Sequence, residues 1–196
     1  MAGENSMRSP AAHADTRLTY DDFVHFPDDG RRHELIDGAH YVTPSPDVRH
    51  QAIVVRLVVA IATYLQQHPV GRVFVAPLDV VLSTHDIVEP DLLFVATDQS
   101  DIVTDSNIQG PPALVVEVLS HSTRKRDAQA KRRLFERSGV REYWLVDPEL
   151  ETVQVLRMTP DGKLLRVVEL SMEDDETLTT PLLPDWALAL RDIFGG

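Results

Sequence analysis

Between Ala113 and Leu119 the chain reads ALVVEVL, apolar at every position except Glu117. A short, continuous apolar run of this kind is a buried strand, and a carboxylate inside it restricts the folds that can hold it. A bare buried charge is costly, so Glu117 must be neutralised, paired or bound to a metal.

A second acid stands in a similar setting. In IVEPDLLFVA, Asp91 is read in an apolar strand directly after Pro90, which marks an edge or bulge position. With side chains alternating between faces, Glu117 shares a face with Val115 and Leu119, and Asp91 with Glu89 and Leu93. Two acids held in one sheet can share a hard cation such as magnesium, which takes oxygen ligands and keeps several waters. For each acid the alternative is a salt bridge, or a backbone hydrogen bond at a strand irregularity.

The segment STRKRDAQAKRRLFERSG predicts a helix ended by Gly139. At about 100° per residue counted from Ala128, Lys131 falls near 300°, between Leu134 near 240° and Phe135 near 340°. Asp127 and Ser138 lie on the same side, whereas Lys125, Arg126, Arg132, Arg133, Glu136 and Arg137 fall on the outward arc. Lys131 is thus the basic residue expected to point at the sheet. It can pair with Glu117, or with Asp127 at i−4. Beside a metal, its amine can instead position an attacking water and stabilise charge on a phosphate. Two acids and a lysine form a minimal set for metal-assisted phosphodiester hydrolysis.

The remaining segments give the frame. Thr19 and Asp22 have capping-box spacing, which starts a short helix near Tyr20. HELIDGAHYV predicts a hairpin turning at Asp37-Gly38. Val48 to Gln67 carries Ile53, Leu57, Ile61 and Leu65 at steps of four, a long helix with a wide buried face. GRVFVAPLDVVLS, IVEPDLLFVA, EYWLVD, TVQVLRM and LLRVVEL supply strands, and PLLPDWALALRDIF closes the chain. The order predicts a mixed sheet with helices on it. With 196 residues, 43% of them hydrophobic, the chain suits one domain over residues 18–196, preceded by a polar, disordered tail from Met1 to Arg17.

The absence of cysteine excludes disulfides and thiolate metal sites and suits a reducing cytoplasm. The longest apolar run, AIVVRLVVAIA, is interrupted by Arg56 and is too short to cross a bilayer. The histidines lack zinc spacing, and there is no GxSxG, P-loop or GxGxxG motif. A net charge of -12 argues against a nucleic-acid coat, yet Arg124 to Arg141 holds eight basic residues against two acids. That face can meet phosphate or simply be solvated.

The series HELIDG, SPDVRHQ, VFVAPLDVVLS, VEPDLLFV, LVVEVLSHSTRKRDAQAK and GVREYWLVDP resembles the Uma-two family of restriction endonuclease-like proteins, within the PD-(D/E)XK nuclease superfamily. The likeness covers the chain from about Leu18 to Phe194. It implies an α/β (mixed α+β) restriction endonuclease-like core, with a central mixed sheet flanked by helices and extra hairpins. It also implies a magnesium or manganese site. Pro90-Asp91 matches the PD motif and Glu117 the acid of (D/E)XK. The lysine two residues on is replaced by Leu119, and the resemblance points to Lys131 instead. Glu34 matches an acid that the superfamily often draws from its first helical region, a further ligand or water-orienting group. The carbonyl of Val118 joins Asp91 and Glu117 as a metal ligand in this pattern. Phe135 stands where similar sequences often have tyrosine, and His50 matches a histidine of their RHQ motif. Arg124, Lys125, Arg126 and His50 are candidate nucleic-acid contacts.

Two functions follow as expectations. One is a metal-dependent DNA endonuclease, a homodimer by analogy because cutting both strands needs two sites. The other is a non-catalytic descendant of that fold, a binding or regulatory module whose acids and lysine form only a buried ion pair.

Overall fold

The computed structural model describes residues 17–121 and 124–195. The expected tail lies outside the described residues except at Arg17, whose Nε donates to the carbonyl of Asp37 at 2.9 Å and so joins the folded domain. In chain order the elements are α1 (Tyr20–Phe23), β1 (Arg32–Ile36), β2 (Ala39–Thr43), α2 (Val48–Gln67), β3 (Gly71–Val75), β4 (Val80–Ser83), β5 (Asp86–Val88) and β6 (Leu92–Ala96). After a 3-10 turn come β7 (Ile108–Gln109), β8 (Leu114–Val118), a π-helical stretch (Arg126–Lys131) that continues as α3 (Arg132–Ser138), and β9 (Glu142–Asp147). The chain finishes with β10 (Thr152–Met158), β11 (Leu164–Ser171), β12 (Thr177–Thr179), β13 (Ala187–Ala189) and α4 (Leu190–Phe194).

Local chemistry sets the boundaries. Thr19 and Asp22 form the reciprocal capping box of α1. Asp37 and Gly38 both adopt positive φ, 54° and 74°, as a two-residue hairpin turn between β1 and β2 requires. Asp47 caps α2 by accepting the N–H of His50 at 2.8 Å. Gly139, at φ 87°, ends α3 in the left-handed conformation.

A six-stranded sheet in the order β11-β10-β9-β8-β6-β3 forms the centre. Its β8–β9 pair is parallel and its other pairs are antiparallel, so the sheet is mixed. The parallel pair needs a crossover, which the π-helical stretch and α3 provide. One face of the sheet packs Leu114, Val116 and Val118 under α2 and α4; the other packs Val115 and Tyr143 under Leu134 and Phe135 of α3. Because β8 is covered on both faces it reads as an uninterrupted apolar run. Each large side chain so buried contributes roughly 1.5–3 kcal/mol of hydrophobic stabilisation.

A five-stranded sheet, β2-β1-β5-β4-β7, stands beside it. The chain passes from one sheet to the other between β5 and β6, at Glu89 to Asp91. Asp91 therefore lies on that crossing and not inside a strand, a correction to the reading of IVEPDLLFVA as one segment. Pro90, with no N–H to offer a ladder, stands at the break. Helix α2 is 20 residues long, so the shortness of its apolar run does not exclude a membrane span. Instead α2 buries Ile53, Leu57 and Ile61 in the core, and Arg56 donates to the carbonyl of Ile193 at 2.9 Å.

Candidate active site

The crossing between the sheets brings the acids together. Leu92 pairs with Val116 in the antiparallel β6–β8 ladder, so one step further Asp91 stands beside Glu117. Asp91 is 4% exposed, and its oxygens are divided among three donors. Oδ2 accepts from the Val118 N–H at 2.8 Å and from His50 Nε2 at 3.0 Å, while Oδ1 accepts from Arg32 Nη1 at 2.7 Å. Since an ionised carboxylate only accepts, His50 carries its hydrogen on Nε2. Its Nδ1 is buried without a hydrogen-bond partner. Burial pushes the Asp91 carboxyl up, but the His50 hydrogen bond, the His50 and Arg32 charges and the Val118 N–H outweigh it and hold the group at about 2.

Lys131 is the hub of the second half. It is 2% exposed, and its Nζ lies 2.6 Å from Glu117 Oε1, 2.8 Å from Glu34 Oε1 and 3.8 Å from Asp127 Oδ1. Burial works against the ammonium, but Glu117, Glu34 and Asp127 overcome it and keep the lysine charged. Burial likewise pushes the Glu34 carboxyl up, yet Lys131 and Arg126 bring it below the usual range. Glu117 goes the other way: burial lifts it well above that range, aided by Asp127, Asp91 and Glu34, and Lys131 offsets only part. The asymmetry follows from the charge balance. Asp91 has His50 and Arg32 beside it and Glu34 has Lys131 and Arg126, whereas Glu117 is crowded by Asp127, Asp91 and Glu34 with Lys131 as the largest opposing charge.

Two placements differ from expectation. Glu34 comes from strand β1 and not from a helical region. Arg126, expected on the outward arc, turns inward with its side chain 14% exposed. It donates to Thr43 Oγ1 at 2.8 Å and lies 3.5 Å from Glu34 Oε2 and 3.6 Å from Asp127 Oδ1. Its long side chain also lies over the Tyr41 ring, 5.7 Å from the centroid, so the guanidinium reaches back across the cleft from its place in the π-helical stretch. Of the other candidate nucleic-acid contacts, His50 is buried on Asp91, Arg124 is tied to Asp147 and Glu149, and Lys125 is exposed. Phe135 packs edge-on against Tyr143, whose hydroxyl donates to the Asp127 carbonyl at 3.2 Å. The residue that sequence reasoning missed is Arg32, whose partner lies 59 positions away.

A cleft of about 400 Å³ is lined by Glu34, Asp91, Glu117, Arg126 and Lys131. A second cavity of about 710 Å³ shares Arg32, His50 and Asp91 with it and adds Asp79 and Glu89. Burial, then the charges of Asp79 and Glu34, push the Glu89 carboxyl up to about 7.

These shifts act on stability with opposite signs. Glu89 has a folded pKa above its ordinary 4.5, so the stabilisation of its neutral form is complete below 4.5 and is lost as pH rises through about 7. Asp91, held at about 2 against an ordinary 3.8, contributes above 3.8 and loses that contribution as pH falls through about 2. The Asp91 contribution is of order 2 kcal/mol. Glu89→Gln is therefore expected to raise the melting temperature by a few degrees at pH 8 and to leave it unchanged at pH 4.5, as measured by scanning calorimetry. A gain at both pH values would show that Glu89 does not titrate as described.

Comparison with known proteins agrees with this fold. No curated protein matches the chain significantly. A crystal structure described as "a putative nuclease belonging to DUF820", from Anabaena variabilis, superposes with a TM-score of 0.75 at 22% identity, covering 90% of this chain and 97% of that one. At that identity the likeness establishes the fold, a central mixed sheet flanked by helices. A family model, Uma2, described as "Putative restriction endonuclease", matches residues 20–191. With the match spanning nearly the whole described domain, the chain belongs to the Uma2 family.

Proposed function

We propose that the chain is a metal-dependent nuclease that hydrolyses phosphodiester bonds in DNA. The observation that carries this reading is the meeting of Asp91, Glu117 and Lys131, drawn from a sheet crossing, a central strand and a helix, at one cleft. The family description supports the nuclease class.

The donor set suits a hard cation. Among the described residues no three His, Asp or Glu side chains form a ready-made metal cage. Magnesium does not require one, because it binds through one or two carboxylates and keeps water and phosphate in its other positions. The excess negative charge around Glu117 and the buried Glu34 Oε2, which lacks a hydrogen-bond partner, favour an added cation. Asp91, Glu117 and the Val118 carbonyl would hold it. When bound, magnesium or manganese polarises phosphoryl oxygens and lowers the pKa of water.

The protein's own groups have distinct tasks. His50 and the Val118 N–H fix the orientation of Asp91. Lys131, kept charged by its carboxylate neighbours, can donate to an attacking water and to the phosphate as negative charge develops. Glu34 shares the lysine with Glu117 and can orient the water. Exposed Lys125, and Arg124 where it leaves Asp147 and Glu149, would contact phosphates of the substrate, and two copies acting together would cut a duplex.

Incubation of supercoiled plasmid and of single-stranded DNA with magnesium or manganese tests the reading. Nicked, linear or shortened products that vanish in EDTA are expected. Intact substrates under all these conditions would instead assign the chain to a non-catalytic binding module.

A further inference from the structure

We infer that Arg32 is a displaceable counter-ion of Asp91: it occupies the carboxylate oxygen that a metal needs, and yields it when the cation binds. The inference rests on the metal reading of the site. Arg32 opens strand β1 of the five-stranded sheet and reaches across to the sheet crossing. Its Nη1 lies 2.7 Å from Asp91 Oδ1 and 3.3 Å from the carbonyl of Glu89. The other oxygen, Oδ2, is held by a backbone N–H and by His50.

The three partners differ in freedom. The Val118 N–H is fixed in β8, and His50 sits in the capped first turn of α2, 6% exposed. Arg32 has a long side chain, is 18% exposed and borders both cavities. It is the partner with room to leave. A divalent cation on Oδ1 draws electron density from that oxygen and repels the guanidinium beside it, so the Arg32 hydrogen bond weakens as the metal enters. Metal entry and the Arg32–Asp91 pair therefore compete, whereas His50 and Val118 remain as the outer shell that orients the ligand. Once released, the guanidinium stays in the cleft as a planar donor suited to a phosphate. Arg32 is thus a positioning residue with two partners: a carboxylate without metal and a phosphate with it.

A merely structural arginine would weaken both binding steps when removed, but a displaceable one separates them. Manganese affinity, measured by calorimetry and by electron paramagnetic resonance without DNA, is expected to be about tenfold tighter in Arg32→Gln than in the wild type, the competing charged hydrogen bond being gone. Affinity for uncleaved DNA in calcium is expected to fall in the same variant. Manganese binding equal to or weaker than wild type in folded Arg32→Gln would overturn the inference. Asp91→Asn serves as the separate control: loss of manganese binding there keeps the metal site in place whatever Arg32 does, and retained binding would overturn the metal reading itself. Should Arg32→Gln not fold, nitrogen-15 spectra of arginine-labelled wild type decide the matter. The Arg32 guanidinium signal is expected to lose its restricted rotation on saturation with magnesium, and an unchanged signal would overturn the proposal.

Discussion

Lys131→Met is expected to destabilise the protein by about 3–5 kcal/mol, the cost of removing one partner from a buried ion cluster. Methionine nearly fills the lysine volume, so the loss reports charge and not a cavity. In the wild type the ammonium lies 2.6 Å from Glu117 and 2.8 Å from Glu34, and all three side chains are almost wholly buried. Without it, Glu34 keeps only the Glu89 N–H and the more distant Arg126, while Glu117 loses the cation that lowers its carboxyl most. Urea unfolding at pH 7 measures the effect. The penalty should shrink as pH is lowered, since the abandoned carboxylates can then take up protons. Adding Glu117→Gln to Lys131→Met should recover a large part of the loss, and a double-mutant cycle gives the coupling directly. A loss below about 1 kcal/mol would mean that the pair is solvated, in the range of a surface salt bridge.

How far the site was legible in the sequence depends on how each residue is held. Glu117 stood out because β8 is covered on both faces and its apolar run makes a single acid conspicuous. The Asp37-Gly38 hairpin and helix α2 announced themselves through turn chemistry and through period. The break between β5 and β6 is marked locally only by Glu89-Pro90-Asp91, which reads equally as a bulge, and sheet membership leaves no trace in a local window. The short strands β7, β12 and β13, of two or three residues, are too brief to show alternation. Helical counting singles out Lys131, whereas Arg126, on the outward arc by the same count, has a side chain long enough to turn back to Thr43 and Glu34. Arg32 carried no signal, since an arginine opening a strand is ordinary and its significance comes wholly from Asp91 far along the chain. Glu34 was reached through the family likeness alone, and its strand position became visible only in the fold.

Glu117→Gln is expected to abolish strand cleavage, by about 100-fold or more, while leaving the fold as stable as the wild type or more so. Few substitutions at a buried charged site have that combination, and here it follows from the charge balance. The Glu117 carboxyl is lifted well above its ordinary range by burial and by Asp127, Asp91 and Glu34, and Lys131 offsets only part of that. A group with a raised folded pKa contributes its full stabilisation below its unfolded value and loses it as pH rises through the folded one. The neutral amide keeps the shape, can still accept from Lys131 Nζ through its carbonyl, and removes the excess charge. The melting temperature of Glu117→Gln should therefore match wild type in mild acid and exceed it increasingly toward alkaline pH. Cleavage responds differently, because an amide oxygen lacks the charge that attracts a divalent cation and does not hold Lys131 with a full ion pair. If the variant cuts DNA as the wild type does, Glu117 has no part in the chemistry. If it unfolds instead, the carboxylate is charged and structurally required, and the charge balance described here is wrong. Unchanged or improved stability together with lost cleavage would show that the fold tolerates Glu117 while the chemistry requires it.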